Sequence, residues 1–382
     1  MSDTTIRADH VGSLLRPKPL IDALERETGF RYDEARPSNA SLEFANSDQA
    51  AIREVTEECI REAVARQESI GLGAITDGEF RRVFFMGTLD QAMSGFAPSD
   101  DKFAFHNDQE SVEIEARPIV VDRLKVTGTP GADEARFLTS ITDKPVKVTF
   151  PAASISALPG MFVPGVTDKH YADFMELATH IGEIMRGQID AAIDAGATYI
   201  QLDYPAYPLL LDPSYEEMLG GPDAIQHAIQ AALMADRMII EGLPSHVTTA
   251  LHLCRGNLRG MWMADARLDQ IADEFFALPY DRFLIEWDDR SRMGDYTALK
   301  GVPAGRPVVA MGLISTKNAK LEDEDEIVRQ LEEASRYIDI GQLAICPQCG
   351  FASEAGGNAL TEDQQWAKLE LVRRVANRVW GD

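Results

Sequence analysis

Val247-Thr248-Thr249-Ala250-Leu251-His252-Leu253-Cys254-Arg255-Gly256-Asn257 sets an imidazole and a thiol two residues apart at the end of an apolar run. Val247 to Leu253 reads as a buried strand, and residues i and i+2 of a strand share a face. His252 and Cys254 are therefore expected to aim at one point. A neutral imidazole and a thiolate together suit zinc, which takes four ligands when structural, or three and an open position when it acts on a substrate. Taken alone, the pair reads more readily as a buried cysteine beside a hydrogen-bonded histidine.

Later apolar runs end in the same way. Phe283-Leu284-Ile285 is followed by Glu286, and Gln342-Leu343-Ala344-Ile345 by Cys346-Pro347-Gln348-Cys349-Gly350. A His, Cys, Glu, Cys set would give a tetrahedral zinc a nitrogen, two sulfurs and a displaceable oxygen.

Outward from these runs, strands and helices alternate. Strand-like segments are expected at Thr5 to Ser13, Ala74 to Arg82, Val146 to Phe150, Tyr199 to Asp203, Val247 to Leu253, Phe283 to Glu286, Pro307 to Gly312 and Leu343 to Cys346. Helical periodicity marks Asp48 to Gly71, Asp173 to Gly196, Asp223 to Gly242, Ala266 to Ala277, Asp323 to Tyr337 and Glu362 to Trp380. Residues from about 88 to 145 interrupt the pattern with a polar loop and a β-like alternation in Val112 to Val126, expected as a hairpin beside the main body. The alternation predicts an α/β chain, a single (β/α)8 TIM barrel over residues 1–382 with that insertion after the second strand, and a doubly wound sheet as the competing arrangement. In a barrel the active site lies at the C-terminal ends of the strands, where Glu79, Asp203, His252, Cys254, Glu286 and Cys349 all fall.

Composition narrows the function. The 382 residues are 45% hydrophobic, and no apolar run approaches the roughly 18 residues of a membrane span. Met1 to Asp9 lacks a secretory pattern, so a cytoplasmic protein with no membrane association is expected. Four cysteines, Cys59, Cys254, Cys346 and Cys349, are too few and too unevenly placed for a disulfide framework. Cys59 lies in a helical pattern and reads as core. Lys and Arg number 37 against 62 Asp and Glu, a net charge of −25 that argues against nucleic acid as a partner and does nothing to recruit a polyglutamylated one.

The runs Arg7-Ala8-Asp9-His10-Val11-Gly12-Ser13, Ile75-Thr76-Asp77-Gly78-Glu79-Phe80, Gln201-Leu202-Asp203, His252-Leu253-Cys254-Arg255-Gly256-Asn257 and Pro347-Gln348-Cys349-Gly350-Phe351 resemble the cobalamin-independent methionine synthase family. The likeness is to its short, single-barrel branch and runs nearly end to end. It implies that His252, Cys254, Glu286 and Cys349 bind zinc, with Cys346 a neighbour. It implies also that Ser13, Glu79 and Asp203 hold the amino-acid part of L-homocysteine, the two acids facing its ammonium group. The methyl donor it implies is a methylfolate, or a simpler carrier such as a methylcorrinoid protein. Where long members of the family place a catalytic His, this chain aligns Lys317, which with His10 is the candidate for proton transfer.

The expected chemistry is zinc-activated S-alkylation, since a coordinated thiol is deprotonated where a free one is mostly protonated. Two other readings stay open: alkylation of a different thiol, as in the related epoxyalkane:coenzyme M transferases, and a non-catalytic zinc protein. A sulfonate substrate would call for cations in place of Glu79 and Asp203, and a structural site would be closed to added thiol. Uroporphyrinogen decarboxylases resemble such a barrel but need no His, Cys, Cys set. Arg81 and Arg82 read as ion-pair partners, and Trp262, Trp287, Trp366 and Trp380 as packing.

Overall fold

Ten strands form among the residues described by the computed structural model, which are 6–29, 37–115, 117–156, 159–217 and 219–381. They are β1 (Met93–Ala97), β2 (Lys102–His106), β3 (Ser111–Glu115), β4 (Ile119–Val126), β5 (Lys147–Pro151), β6 (Tyr199–Asp203), β7 (Thr248–Leu253), β8 (Arg282–Glu286), β9 (Val308–Ile314) and β10 (Leu343–Pro347). β5 to β10 make one six-stranded sheet in chain order, and all of its neighbours run parallel. Every residue of these six strands is buried. Burial on both faces is why they read in sequence as continuous apolar runs rather than as alternations. A doubly wound sheet reverses its strand order at a switch point, and this sheet does not.

Helices return the chain between parallel strands. Phe174–Asp194 links β5 to β6, Pro222–Met238 links β6 to β7, Ala272–Phe276 links β7 to β8, and Glu324–Ala334 links β9 to β10. Glu362–Trp380 follows β10 and opens with a capping box, Thr361 exchanging hydrogen bonds with Gln364. Asp173 and Asp323 cap the starts of two others by accepting from backbone N–H groups. None of the described helices is long and apolar enough to cross a membrane.

The first two expected strands are reduced to single bridges. Ala8 pairs in parallel with Ile345 and Ile75 in parallel with Val146, while Gly73 N donates to Ala8 O at 3.0 Å. Thr5 lies outside the described residues. After Thr76 the chain turns instead of extending. Asp77 Oδ1 accepts from Glu79 N at 2.7 Å, and both Gly78 and Glu79 take positive φ. Lacking an uninterrupted extended stretch, these segments make no ladder of their own.

The interruption between residues 88 and 145 differs from a single hairpin. β2 and β3 form an antiparallel hairpin closed by Asn107, whose Oδ1 accepts from Gln109 N and Glu110 N. β4 pairs instead with β1, with a register shift between Ser94 and Phe96. The alternation read over Val112 to Val126 is thus shared between two small sheets, and Pro130–Thr139 is a helix. His106 at the end of β2 pairs with Trp262 in the loop after β7, which fastens the hairpin above the strand ends.

Gly312 in β9 lies against the backbone of both flanking strands. A Cβ there would stand 2.6 Å from the Ile285 carbonyl oxygen and 2.9 Å from Gln348 Cα. Gly312→Ala is expected to cost ~1–3 kcal/mol, the range for overpacking where neighbours cannot rotate away. A urea midpoint unchanged from the parent would contradict this register.

Candidate active site

The parallel ladder brings three ligand-type side chains together. His252 ends β7, Cys254 follows it by two residues, and Cys349 lies two residues beyond β10. One nitrogen or sulfur from each lies within 4.8 Å of the others, and all three residues are buried. His252 Nδ1 is 3.1 Å from the Leu284 carbonyl oxygen of β8. A carbonyl can only accept, so Nδ1 carries the proton and Nε2 presents its lone pair. Nε2 is buried and has no hydrogen-bond partner among the described residues. Burying an unsatisfied polar atom is unfavourable, and a metal ion would satisfy it.

The two thiols are linked. A hydrogen bond from Cys254 to Cys349 is the main cause that holds the Cys349 thiol well below its ordinary range, assisted by His252 and opposed by burial. Cys254 moves up for the same reason, with burial and the Glu286 charge adding to the rise. One nitrogen and two sulfurs, one of them already biased to thiolate, form a donor set suited to a metal.

Glu286 is close by but not part of the cluster. Its Oε1 accepts from Lys317 Nζ at 2.6 Å and from Arg255 Nη2 at 2.8 Å, and its Oε2 from Arg255 N at 2.9 Å. Burial alone would favour the neutral acid, but Lys317 and Arg255 outweigh it and lower the carboxyl to about 2. Lys317 also contacts Asp288 at 3.2 Å, and although burial opposes its charge, the two carboxylates raise its pKa. Lys317 is thus a firmly held cation, poorly matched to the role of proton donor expected for it.

Ser13, Glu79 and Asp203 line the same cleft as His252, Cys254 and Cys349. Glu79 is fixed by Arg82, whose Nη2 is 2.9 Å from Oε1, and by Thr149, whose Oγ1 donates to Oε1 at 2.9 Å. Its φ of 62°, like the 53° of Tyr204 beside Asp203, is a conformation that non-glycine residues seldom adopt and that recurs at functional sites. Asp203 is pushed up to about 7, chiefly by burial, with repulsion from Glu79 adding to the rise and the hydrogen bond from Gln201 opposing it. Ser13 packs on Gly350 and its backbone oxygen accepts from Phe351 N at 3.0 Å. Arg81 lies 3.7 Å from Asp77, so both arginines meet acids as expected.

His10 does not reach the cleft. Its ring is buried, with Nε2 3.2 Å from the Ala74 carbonyl oxygen. Val11 and Ser13 line the cleft, and His10 has the opposite parity. Cys346 is also elsewhere, its Sγ 3.5 Å from the Ala310 carbonyl oxygen. Cys59 is buried in helix Arg53–Ile70. Phe103, Phe105, Ile114 and Arg117 from the hairpin region roof the cleft and were not singled out from sequence. The i, i+2 spacing of Phe103 and Phe105 was the available signal.

Residues 31–377 match a family model described as the cobalamin-independent synthase, catalytic domain. YxjH, an uncharacterized protein of Bacillus subtilis (strain 168), is 33% identical over 383 residues, covering 98% of this chain and 94% of YxjH. A 5-methyltetrahydropteroyltriglutamate–homocysteine methyltransferase of Corynebacterium glutamicum (strain R) is 24% identical over 370 residues, covering 93% of this chain and 44% of that protein. The structure of a B12-independent methionine synthase from Shewanella sp. W3-18-1 in complex with selenomethionine superposes with a TM-score of 0.71 at 19% identity, covering 98% of each chain, a likeness of fold.

Two outcomes test this geometry. A Cβ on Gly350 would fall 1.9 Å from Ser13 Oγ, so Gly350→Ala is expected to push Ser13 aside, visible as a displaced side chain in a crystal structure of the variant. Burial, reinforced by Lys147, lowers His10 from 6.5 to about 4, so the folded state keeps it neutral. The unfolded chain takes up the proton first, so stability is full above pH 6.5 and lost as the pH falls toward 4, by up to roughly 3 kcal/mol. His10→Gln should flatten that part of the stability profile, and an unchanged slope would contradict the assignment.

Proposed function

The chain belongs to the cobalamin-independent synthase catalytic-domain family, and on that premise we propose that it transfers a methyl group to the thiol of L-homocysteine, giving methionine. The observation that carries this reading is the meeting, in one cleft, of a buried unpartnered imidazole nitrogen and two cysteine sulfurs with Ser13, Glu79 and Asp203. We propose zinc as the metal and His252, Cys254 and Cys349 as its protein ligands, which leaves one of four tetrahedral positions for a substrate thiol. When bound there, zinc supplies the lowered thiol pKa that makes a nucleophile available at neutral pH. Glu286, expected from sequence as a displaceable oxygen ligand, is engaged here by Lys317 and Arg255.

Glu79 and Asp203 are well suited to hold an ammonium group, being buried acids that line the cleft together with the sulfurs. Each side chain is mostly enclosed, so the charge interaction is little screened. The aromatic roof of Phe84, Phe85, Phe103 and Phe105 keeps water from the reacting sulfur and offers flat apolar surface to a ring-bearing donor, so a methylated folate is the donor proposed. A covered cleft of this kind suits a free small molecule better than a carrier protein. Eight strand positions, counting the Ala8 and Ile75 bridges and the Gly73 to Ala8 hydrogen bond, support closure of the sheet into a (β/α)8 barrel carrying the β1 to β4 region as an insertion.

Calorimetric titration of the zinc-loaded protein with L-homocysteine, in two buffers of different ionisation enthalpy, is expected to show binding with proton release. Coenzyme M should bind far more weakly, and tighter binding of coenzyme M would move the sulfonate thiol to first place. Asp203→Asn is expected to weaken homocysteine by ~10-fold or more, the usual loss for a hydrogen bond to a charged group. Cys349→Ala should lose zinc and turnover while Cys346→Ala keeps both. A Cys349→Ala protein that retained both would overturn the ligand set.

A further inference from the structure

Beneath the cleft lies a buried network that the proposed chemistry does not use. Lys147 Nζ donates to Asp9 Oδ1 at 2.7 Å, to the His10 carbonyl oxygen at 2.6 Å and to Gln201 Oε1 at 2.9 Å. Asp9 Oδ2 accepts from Tyr199 OH at 2.8 Å and from Arg282 Nε at 3.2 Å. Asp9, Lys147, Gln201 and Arg282 have no exposed surface. Gln201 Nε2 then donates to the Val11 carbonyl oxygen at 2.5 Å and to Asp203 Oδ1 at 2.7 Å.

The orientation of the Gln201 amide follows from the charge of its neighbour. An ammonium group has three N–H donors and no acceptor, and here all three are committed. The Gln201 atom facing Nζ must therefore be the carbonyl oxygen, which sends the NH2 group toward Asp203. An amide is ordinarily ambiguous between its two flips, and Lys147 removes the ambiguity. With Oδ1 tied in this way, Oδ2 is the Asp203 oxygen left to meet a ligand in the cleft.

We propose that Gln201 is a positioning residue for acceptor selection, holding the Asp203 carboxylate in the one orientation that receives the ammonium group of an α-amino-acid thiol, with Lys147 as the anchor that sets Gln201. The inference rests on the proposed role of Asp203 and adds how that role is enforced. Thiols without the amino group gain nothing from the arrangement, so the network sets the preference for amino-acid thiols and leaves metal binding alone.

The test compares L-homocysteine with 4-mercaptobutanoate, the same chain lacking the amine, on zinc-loaded parent and Gln201→Glu proteins. The substitution keeps an acceptor for Lys147 and removes the donor to Asp203. It also removes the donor to the Val11 carbonyl oxygen and sets a carboxylate against Asp203, so the uncharged Gln201→Asn variant is measured beside it. The expected result is a loss of tenfold or more in homocysteine affinity, with 4-mercaptobutanoate affinity and zinc content unchanged. Equal losses for both thiols, or an unchanged ratio, would overturn the inference. Gln201→Asn, one methylene shorter, is expected to show the same loss of preference, and it carries the test alone should the glutamate variant fail to fold. A parent protein that prefers neither thiol would instead overturn the proposed function and this inference with it, whereas Asp203→Asn losing the preference while both Gln201 variants keep it would overturn this inference alone.

Discussion

The hydrogen bond between His252 Nδ1 and the Leu284 carbonyl oxygen is the contact on which the site turns. It exists because β7 and β8 pair in parallel with His252 opposite Leu284. A strand carbonyl thereby fixes both tautomer and ring direction, as outer contacts commonly do for metal-binding imidazoles. Shifting the register by one residue would turn His252 and Cys254 to the other face together, since side chains alternate along a strand. The sheet is thus the device that aims the ligands, and the loops after β7 and β10 only have to bring Cys254 and Cys349 to the same place.

Around this soft cluster the fold pairs its buried charges. Glu286 is balanced by Lys317 and Arg255, Glu79 by Arg82, and Asp9 by Lys147 and Arg282. A buried ion is costly unless it is paired, and each of these carboxylates meets at least one cation. Asp203 differs. It has no ion-pair partner of opposite formal charge at bonding distance among the described residues, only the Gln201 amide, and burial pushes it up to about 7. A cleft carboxylate short of a cation is the arrangement that a substrate ammonium group would complete.

Much of this was legible in the sequence, and the failures have identifiable causes. The six fully buried strands stand out because parallel strands covered on both faces must be apolar throughout, and their last residues carry the polar groups. The His252 and Cys254 spacing needed only the two-residue period of a strand. His10 was misplaced because parity, not proximity, decides which residues of a short extended segment face the cleft; Asp9, Val11 and Ser13 face inward and His10 does not. The engagement of Glu286 by Lys317 joins residues 31 apart on adjacent strand ends, a contact that no local pattern encodes. The division of β1 to β4 into two small sheets depends on a register shift and on pairing across the hairpin, both set by tertiary packing.

The central claim is that the His252, Cys254, Cys349 cluster holds zinc with one position kept for the substrate's sulfur. X-ray absorption at the zinc edge, recorded on the loaded protein before and after addition of L-homocysteine, tests it most directly. The account predicts that the number of sulfur neighbours at about 2.3 Å rises from two to three. A count that stays at two on saturation with homocysteine would contradict it and leave the zinc with a structural role.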